Sequence, residues 1–327
     1  MEIDRARRRV KLRDLETLAA VVHSGGMRKA AETLHVAQPT VSKAIRQLED
    51  ALGLRLLERG RQGTEPTAFG TALARRTTAL LDELLGALRE LEWLSDPESG
   101  EVRLGCMETL HAGLVGATVG RMLDERPRMR IVLESGQSPE LIGHFLSGRL
   151  VDFVVARPPS LPLPPDIDGE PLFHDVLKVA VGRESPHARR RRIGLADLVD
   201  ECWILSRNEV TRAAPLVGAF EAAGVPFPRR VVLSGSLQMR ASLLARGGYV
   251  TLVPHSLLPF GRYRQTFRTL PIDLPPWHTP TMVMTLRGRT LGPAATLFLD
   301  RLRAAARPLN LGELQMSGRR RVAARVR

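Results

Sequence analysis

Residues 30–70 read AAETLHVAQPTVSKAIRQLEDALGLRLLERGRQGTEPTAFG, and their apolar spacing decides how the chain begins to fold. Upstream, Leu15, Leu18, Ala19 and Val22 share a helical face that stops at Ser24-Gly25-Gly26. A second short helix, Met27 to Leu34, turns Ala30, Ala31 and Leu34 inward. A break at His35-Val36-Ala37 leads to a third helix starting near Gln38-Pro39, where proline lacks only an N–H that would be unpaired anyway. Val41, Ala44, Ile45, Leu48 and Leu52 form its stripe, and Gly53 ends it. The small Ala31 suits a close helix crossing, and His35 stands in the turn, where histidine tolerates positive φ better than most residues. Next come a strand-like Leu54–Arg59, a turn at Gly60-Arg61-Gln62-Gly63, and Thr64 to Thr67. This is the pattern of a helix-turn-helix with a two-stranded wing, Arg59 and Arg61 near its tip and placed for phosphates. Three ordinary helices of a bundle are the alternative.

The run resembles the winged helix-turn-helix of LysR-type transcriptional regulators. Ala30-Ala31, Leu34, Gln38-Pro39, Val41-Ser42, Ile45, Leu48-Glu49, Leu52-Gly53, Arg59, Thr67 and Gly70 carry the resemblance. One departure is Ala37, where the family commonly has a serine able to cap the helix; a lost cap costs about 1 kcal/mol. A recognition helix enters the major groove with its N-terminal side chains on base edges. The candidate DNA-binding residues are therefore Gln38, Pro39, Thr40, Ser42, Lys43 and Arg46 on the third helix, with Arg59 and Arg61 on the wing. Gln38 suits a bidentate pair with adenine, Thr40 and Ser42 bases or phosphates, and Lys43 and Arg46 phosphate or guanine. For any one of these residues, a merely solvated helix surface is the competing reading.

From Thr67 to Leu94 no strong breaker interrupts the chain, which predicts a helix of ~42 Å. Leu73, Thr77, Leu80, Leu84, Ala87, Leu91 and Leu94 alternate steps of four and three, a coiled-coil seam, with Leu81, Leu85 and Leu88 widening it. Self-association covers such a stripe; packing on the chain's own core is the alternative. The resemblance makes it a dimerising linker helix.

Ser95 to Gly100 is polar and breaker-rich, hence a linker. Beyond it strands and helices alternate in α/β fashion. The expected strands are Val102–Gly105, Arg130–Glu134, Val151–Ala156, Val176–Val181, Trp203–Leu205, Arg230–Leu233, Tyr249–Val253 and Thr281–Leu286. The expected helices are Leu110–Glu125, Pro139–Ser147, Arg212–Ala223, Gln238–Arg246 and Pro293–Arg307. The Pro-rich segment from Arg157 to Pro171 is read as a crossing between subdomains. The resemblance, looser here, implies a two-lobed effector domain of periplasmic-binding-protein type, with a small molecule in the cleft. Ligands of open α/β sheets sit beyond the C-terminal strand ends. That rule selects residues 107–109 and 136–138, Ser206, Arg207, Asn208, Ser234 and Ser236. Among them Met107, Glu108, Thr109, Gln137, Ser138, Arg207, Asn208 and Ser236 are the effector-binding candidates, for a small polar, even anionic, ligand. Ordinary capping or solvation is as good a reading for each.

The net charge of +13 over 327 residues comes from 44 Arg and four Lys. It concentrates in residues 1–11, Arg189 to Arg192 and the tail from Ser317 to Arg327, which together carry +12. Basic arms on a neutral body suit a polyanion, because each neutralised phosphate releases counterions. A charge run that is simply a solvated tail is the bland reading. The N-terminal MEIDRARRRVKLRDLE has no apolar core, so no secretory signal is expected, and no apolar run reaches the ~20 residues of a membrane span. A cytoplasmic location follows as the expectation. Cys106 and Cys202 are too few for a disulfide framework or a structural zinc site, and a redox switch between them is the minor reading. No HExxH, GxSxG, Walker or dinucleotide motif is present, so no catalytic set, metal or cofactor is expected beyond a co-inducer.

The expected architecture is α/β overall. It comprises a winged helix-turn-helix over 1–70, a linker helix and hinge over 71–99, an effector domain over 100–310 and a basic, disordered tail over 311–327. The expected function is sequence-specific transcription regulation modulated by an effector. Its expected partners are palindromic double-stranded DNA and a second copy in a homodimer or homotetramer, with RNA polymerase a further candidate. The alternatives are an effector-independent DNA-binding repressor or architectural protein, and an enzyme or solute-binding lobe tethered to DNA.

Overall fold

The computed structural model describes residues 3–60, 63–212, 214–260, 263–275 and 280–309. The expected basic tail over 311–327 lies outside them. The chain divides into two compact units, Met1–Leu88 and Arg89–Arg327.

In the first unit a short helix, Ile3–Arg9, precedes the three expected ones, Leu12–Ser24, Met27–Thr33 and Gln38–Leu52. The basic N-terminal stretch is thus helical and buries Ala6. Gly25 and Gly53 close two of the helices in the left-handed conformation, and His35 takes the turn with φ 52°. Leu18, Val21, Ala30, Ala31, Val41, Ile45 and Leu48 form the core; Leu15 and Val22 sit at its margin. Strands β1 (Leu57–Gly60) and β2 (Gly63–Pro66) pair antiparallel as the wing. The long helix runs Ala68–Ser95, and its last turns belong to the second unit.

The second unit holds two five-stranded sheets. The first orders its strands β4 (Arg128–Ser135), β3 (Ser99–Cys106), β5 (Phe153–Ala156), β12 (Thr281–Leu286) and β6 (Ile167–Phe173). The second orders β11 (Phe267–Asp273), β7 (Leu177–Gly182), β10 (Tyr249–Pro254), β8 (Cys202–Leu205) and β9 (Val231–Leu233). Both sheets are mixed, with β3 parallel to β4 and β5, and β8 parallel to β9 and β10. Each is covered on both faces, so its central strands are continuously apolar rather than alternating. Along β5, Phe153 and Val155 join the core under helix Pro293–Ala306, while Val154 and Ala156 join the core under Leu141–Leu146. In the second lobe Val179 and Val181 share a core with Trp203, while Ala180 joins the opposite one. Trp203 is fully buried and meets Phe220 edge-on at 5.7 Å. Burying side chains of this size contributes about 1.5–3 kcal/mol each.

Three expectations need correction. Arg157 to Pro171 is not the crossing between lobes: Ile167–Phe173 is an edge strand of the first sheet, and the chain passes to the second sheet between Phe173 and Leu177. Pro171 is accommodated because β6 is an edge strand and the register shifts beside it. β11, absent from the expected strands, carries Pro271 within a register irregularity on the edge of the other sheet. The expected helix Leu110–Glu125 is broken by a wide turn at His111–Val115, where Gly113 leaves helical geometry, before Gly116–Glu125 resumes.

Candidate DNA-binding and effector sites

Helix Gln38–Leu52 has Pro39 in its first turn and no side-chain cap, as Ala37 dictates, and buries Val41, Ile45, Leu48 and Glu49. That burial turns Gln38, Pro39, Thr40, Lys43 and Arg46 outward, with Ser42 half-buried beside them. The Arg46 Nε donates to the Ser42 carbonyl at 3.4 Å, on the exposed side. One helix face thus gathers the six candidates it carries. Arg59 lies on β1 opposite Thr64, and Arg61 lies outside the described residues.

Glu49, read in the sequence only as part of a Leu-Glu pair, fixes the wing. Its Oε1 accepts the N–H of Leu56 at 2.7 Å and that of Leu57 at 3.2 Å. Thr67 joins wing to long helix: its hydroxyl donates to the carbonyls of Arg55 and Leu56 and accepts the Gly70 N–H at 3.1 Å. Gly70 is required by space, since a Cβ there would stand 2.0 Å from the Leu56 carbonyl oxygen.

Along the long helix Thr77 is buried, whereas Leu80, Leu84, Leu88, Leu91 and Leu94 are 42–70% exposed. Its C-terminal turns are strapped to the first lobe. Arg89 lies 3.3 Å from Glu101 and 3.6 Å from Asp152, Arg126 sits 5.2 Å over the Trp93 ring, and Arg128 pairs with Asp96 at 2.8 Å. The polar stretch read as a linker is therefore only the few residues between Ser95 and Ser99.

Between the two lobes lies a cavity of about 90 Å³. Met107, Glu108, Thr109 and Gln137 line it from the first lobe, and Asn208 from the second. Three other candidates are placed elsewhere. The Ser138 hydroxyl is buried against Met107 Sδ at 3.7 Å, Ser236 caps helix Leu237–Leu244 through the Met239 N–H at 3.2 Å, and Arg207 is exposed outside the lining. Arg157, Glu209 and Arg240 also line the cavity and were not among the candidates. Arg240 and Glu209 form a buried two-pronged pair, 2.8 Å and 3.2 Å, and Arg240 also donates to the Leu252 carbonyl at 2.7 Å. Arg157 follows β5, so the same strand-end rule that found Met107 reaches it; its place in a Pro-rich run obscured it.

Cys106 is fully buried on β3, and that burial pushes its thiol far above the ordinary range. Cys202 is half-buried on β8, in the other sheet. No helix among the described residues is long and apolar enough to cross a membrane.

Comparison with known proteins agrees with both halves of this arrangement. Residues 12–71 match the bacterial regulatory helix-turn-helix protein of the lysR family, and residues 95–307 match the LysR substrate binding domain. The chain belongs to the LysR family. It is 29% identical over 305 residues to the HTH-type transcriptional regulator GbpR of Azospirillum brasilense, covering 91% of this chain and 87% of that one. It is 28% identical over 285 residues to a hydrogen peroxide-inducible genes activator of Dickeya chrysanthemi, covering 86% of this chain and 92% of that one. The fold is that of full-length CbnR in complex with its target DNA, with a TM-score of 0.57 at 22% identity over 90% of this chain and all of that one. This LysR-family protein is accordingly a DNA-binding transcription regulator with an effector domain, in a family of regulators rather than enzymes.

Proposed function

We propose that this regulator reads DNA through Gln38, Thr40, Ser42, Lys43 and Arg46, with Arg59 and Arg61 of the wing on the backbone, and responds to a small molecule held between its lobes. The observation that carries the reading is the convergence of Met107, Glu108, Thr109, Gln137 and Asn208, from separate strand ends, on one cavity. The DNA-binding part spans 1–70, the linker helix and hinge 71–99 and the effector part 100–310. The exposed leucine seam pairs two copies, so that two recognition helices meet a palindrome. The protein works in the cytoplasm, where its DNA is.

The Dickeya relative is named as an activator of hydrogen peroxide-inducible genes; a cysteine-based peroxide response in this chain has less support. A reactive cysteine needs thiolate character and access, and Cys106 has neither. Cys202 stands in the other sheet. The test is a footprint of the full-length protein on its own promoter region with and without a stabilising ligand. A ligand that changes the footprint supports effector control; ligands that bind and leave DNA affinity untouched refute it, because coupling between two sites is reciprocal.

A further inference from the structure

The four charged residues lining the cleft differ in what they already bind. Glu209 and Arg240 satisfy each other inside the second lobe, and the Ser206 N–H donates to the same Glu209 carboxylate at 2.6 Å. Arg157 faces Asp175 and Glu209 electrostatically. Glu108 is different. Among the described residues its carboxylate makes no hydrogen bond and no ion pair, although it is half-buried in the cavity wall. The titratable group facing it, His111 on the next turn, is held toward its neutral form by burial. The side chains of Thr109, Gln137 and Asn208 likewise make no hydrogen bond among the described residues.

A carboxylate without a protein donor takes its hydrogen bonds from water in the open cleft. An occupant that displaces that water must bring donors of its own, or the carboxylate is left unsatisfied at a cost. One that brings a second carboxylate beside Glu108 adds like-charge repulsion. The apolar lining is Met107, Leu177 and Pro254, with no aromatic ring among the described residues to stack on. A cavity of about 90 Å³ is also small beside the roughly 300–1,000 Å³ of drug-sized sites. We propose that the cleft takes a small ligand presenting hydrogen-bond donors, an ammonium or neighbouring hydroxyls, to Glu108, and not a bare carboxylic or aromatic acid. This rests on the reading of the cleft as the effector site.

The test uses the full-length protein in a thermal-shift screen with three arms at millimolar concentration. One holds amino acids and diamines, one monosaccharides and polyols, and one acetate, benzoate and their homologues, which lack donors. The expected result is stabilisation in the first or second arm, which also tells ammonium from hydroxyl. Glu108→Gln, near-isosteric and checked by its ligand-free melting temperature, weakens an ammonium hit roughly tenfold or more and a hydroxyl hit by less. Stabilisation confined to the acids, no shift in either donor arm, or an ammonium hit bound equally well by Glu108→Gln overturns the proposal. An acid that binds and changes the footprint removes this inference but leaves effector control standing. A donor ligand that binds through Glu108 without altering DNA binding does the reverse.

Discussion

The carboxylate of Glu49 accepts the backbone N–H of Leu56 at 2.7 Å, so a recognition-helix side chain holds the first residues of the wing. Its second bond, to Leu57 at 3.2 Å, makes Glu49 the sole side-chain joint of this kind described between that helix and the wing. Arg55 also reaches Glu49 at 3.3 Å, but it is 83% exposed and adds little. Glu49→Ala leaves two buried N–H groups without an acceptor and destabilises the first unit by about 2–4 kcal/mol. Glu49→Gln keeps an acceptor in place and costs less. Denaturant unfolding of both variants, with DNA affinity measured alongside, checks the order; equal losses from Ala and Gln would remove the joint.

On the recognition helix, side chains that read bases and those that neutralise phosphates leave different signatures. Gln38→Ala relaxes preference at one position per half-site, costing ~1–3 kcal/mol there. Lys43→Ala and Arg46→Ala weaken binding across all sequences and each lower the salt slope by about one. A binding-site selection and a salt titration separate the two. A Gln38→Ala selection identical to wild type contradicts the assignment.

Leu80 and Leu84 are 48% and 42% exposed on the seam of helix Ala68–Ser95. Replacing both with Glu brings like charges together wherever two such helices pair. The expected product is a folded monomer that binds palindromic DNA weakly, read by sedimentation. An intact dimer would place the interface elsewhere.

Arg89 bridges Glu101 and Asp152, and all three are largely buried. Asp152 is further tied by the Arg103 N–H at 2.9 Å and by Arg289 at 3.3 Å, so it keeps partners when Arg89 is removed. Arg89→Ala should therefore lower stability by only about 1–3 kcal/mol. It should leave effector affinity unchanged while shrinking the effector-dependent change in DNA affinity, because the helix end is then less firmly held. A variant with full coupling would show that the strap carries no signal.

Cys106 should resist alkylation in the native protein at neutral pH, because burial raises its thiol pKa and keeps it protonated and inaccessible. Half-buried Cys202 should react first. Mass spectrometry of the singly modified protein decides it, with denaturant exposing both. Modification of Cys106 ahead of Cys202 would reopen a redox role.

Much of the first unit was legible because its signals are local. Helical spacing, Gly25 and Gly53 as stops and Pro39 as a start depend on neighbours within a turn or two, and the helices begin and end where those residues require. Central strands were legible for a related reason, since burial on both faces leaves continuous apolar runs such as Phe153–Ala156. The two strands missed are both edge strands carrying a proline, Pro171 and Pro271, at irregular register. Proline forbids a ladder bond only where a partner would receive it, and no sequence pattern says which strand is an edge.

The cleft divides the same way. Strand ends are visible in sequence, so the strand-end rule reached Met107, Glu108, Thr109, Gln137 and Asn208, but it drew in Ser138, Arg207 and Ser236 with them. Which of the polar residues there are already spent was not. Ser236 is used on its own helix and Ser138 on Met107, while Arg240 is consumed by Glu209, 31 residues away. Sequence alone determined the helix-turn-helix, the long seam and the α/β character, because periodicity and backbone stereochemistry act over a few residues. Tertiary structure alone decided where the chain crosses between lobes, how Glu49 holds the wing and that Glu108 has no hydrogen-bond donor among the described residues. Those outcomes depend on pairings between distant segments, whose free energy is realised only when burial removes the competing water.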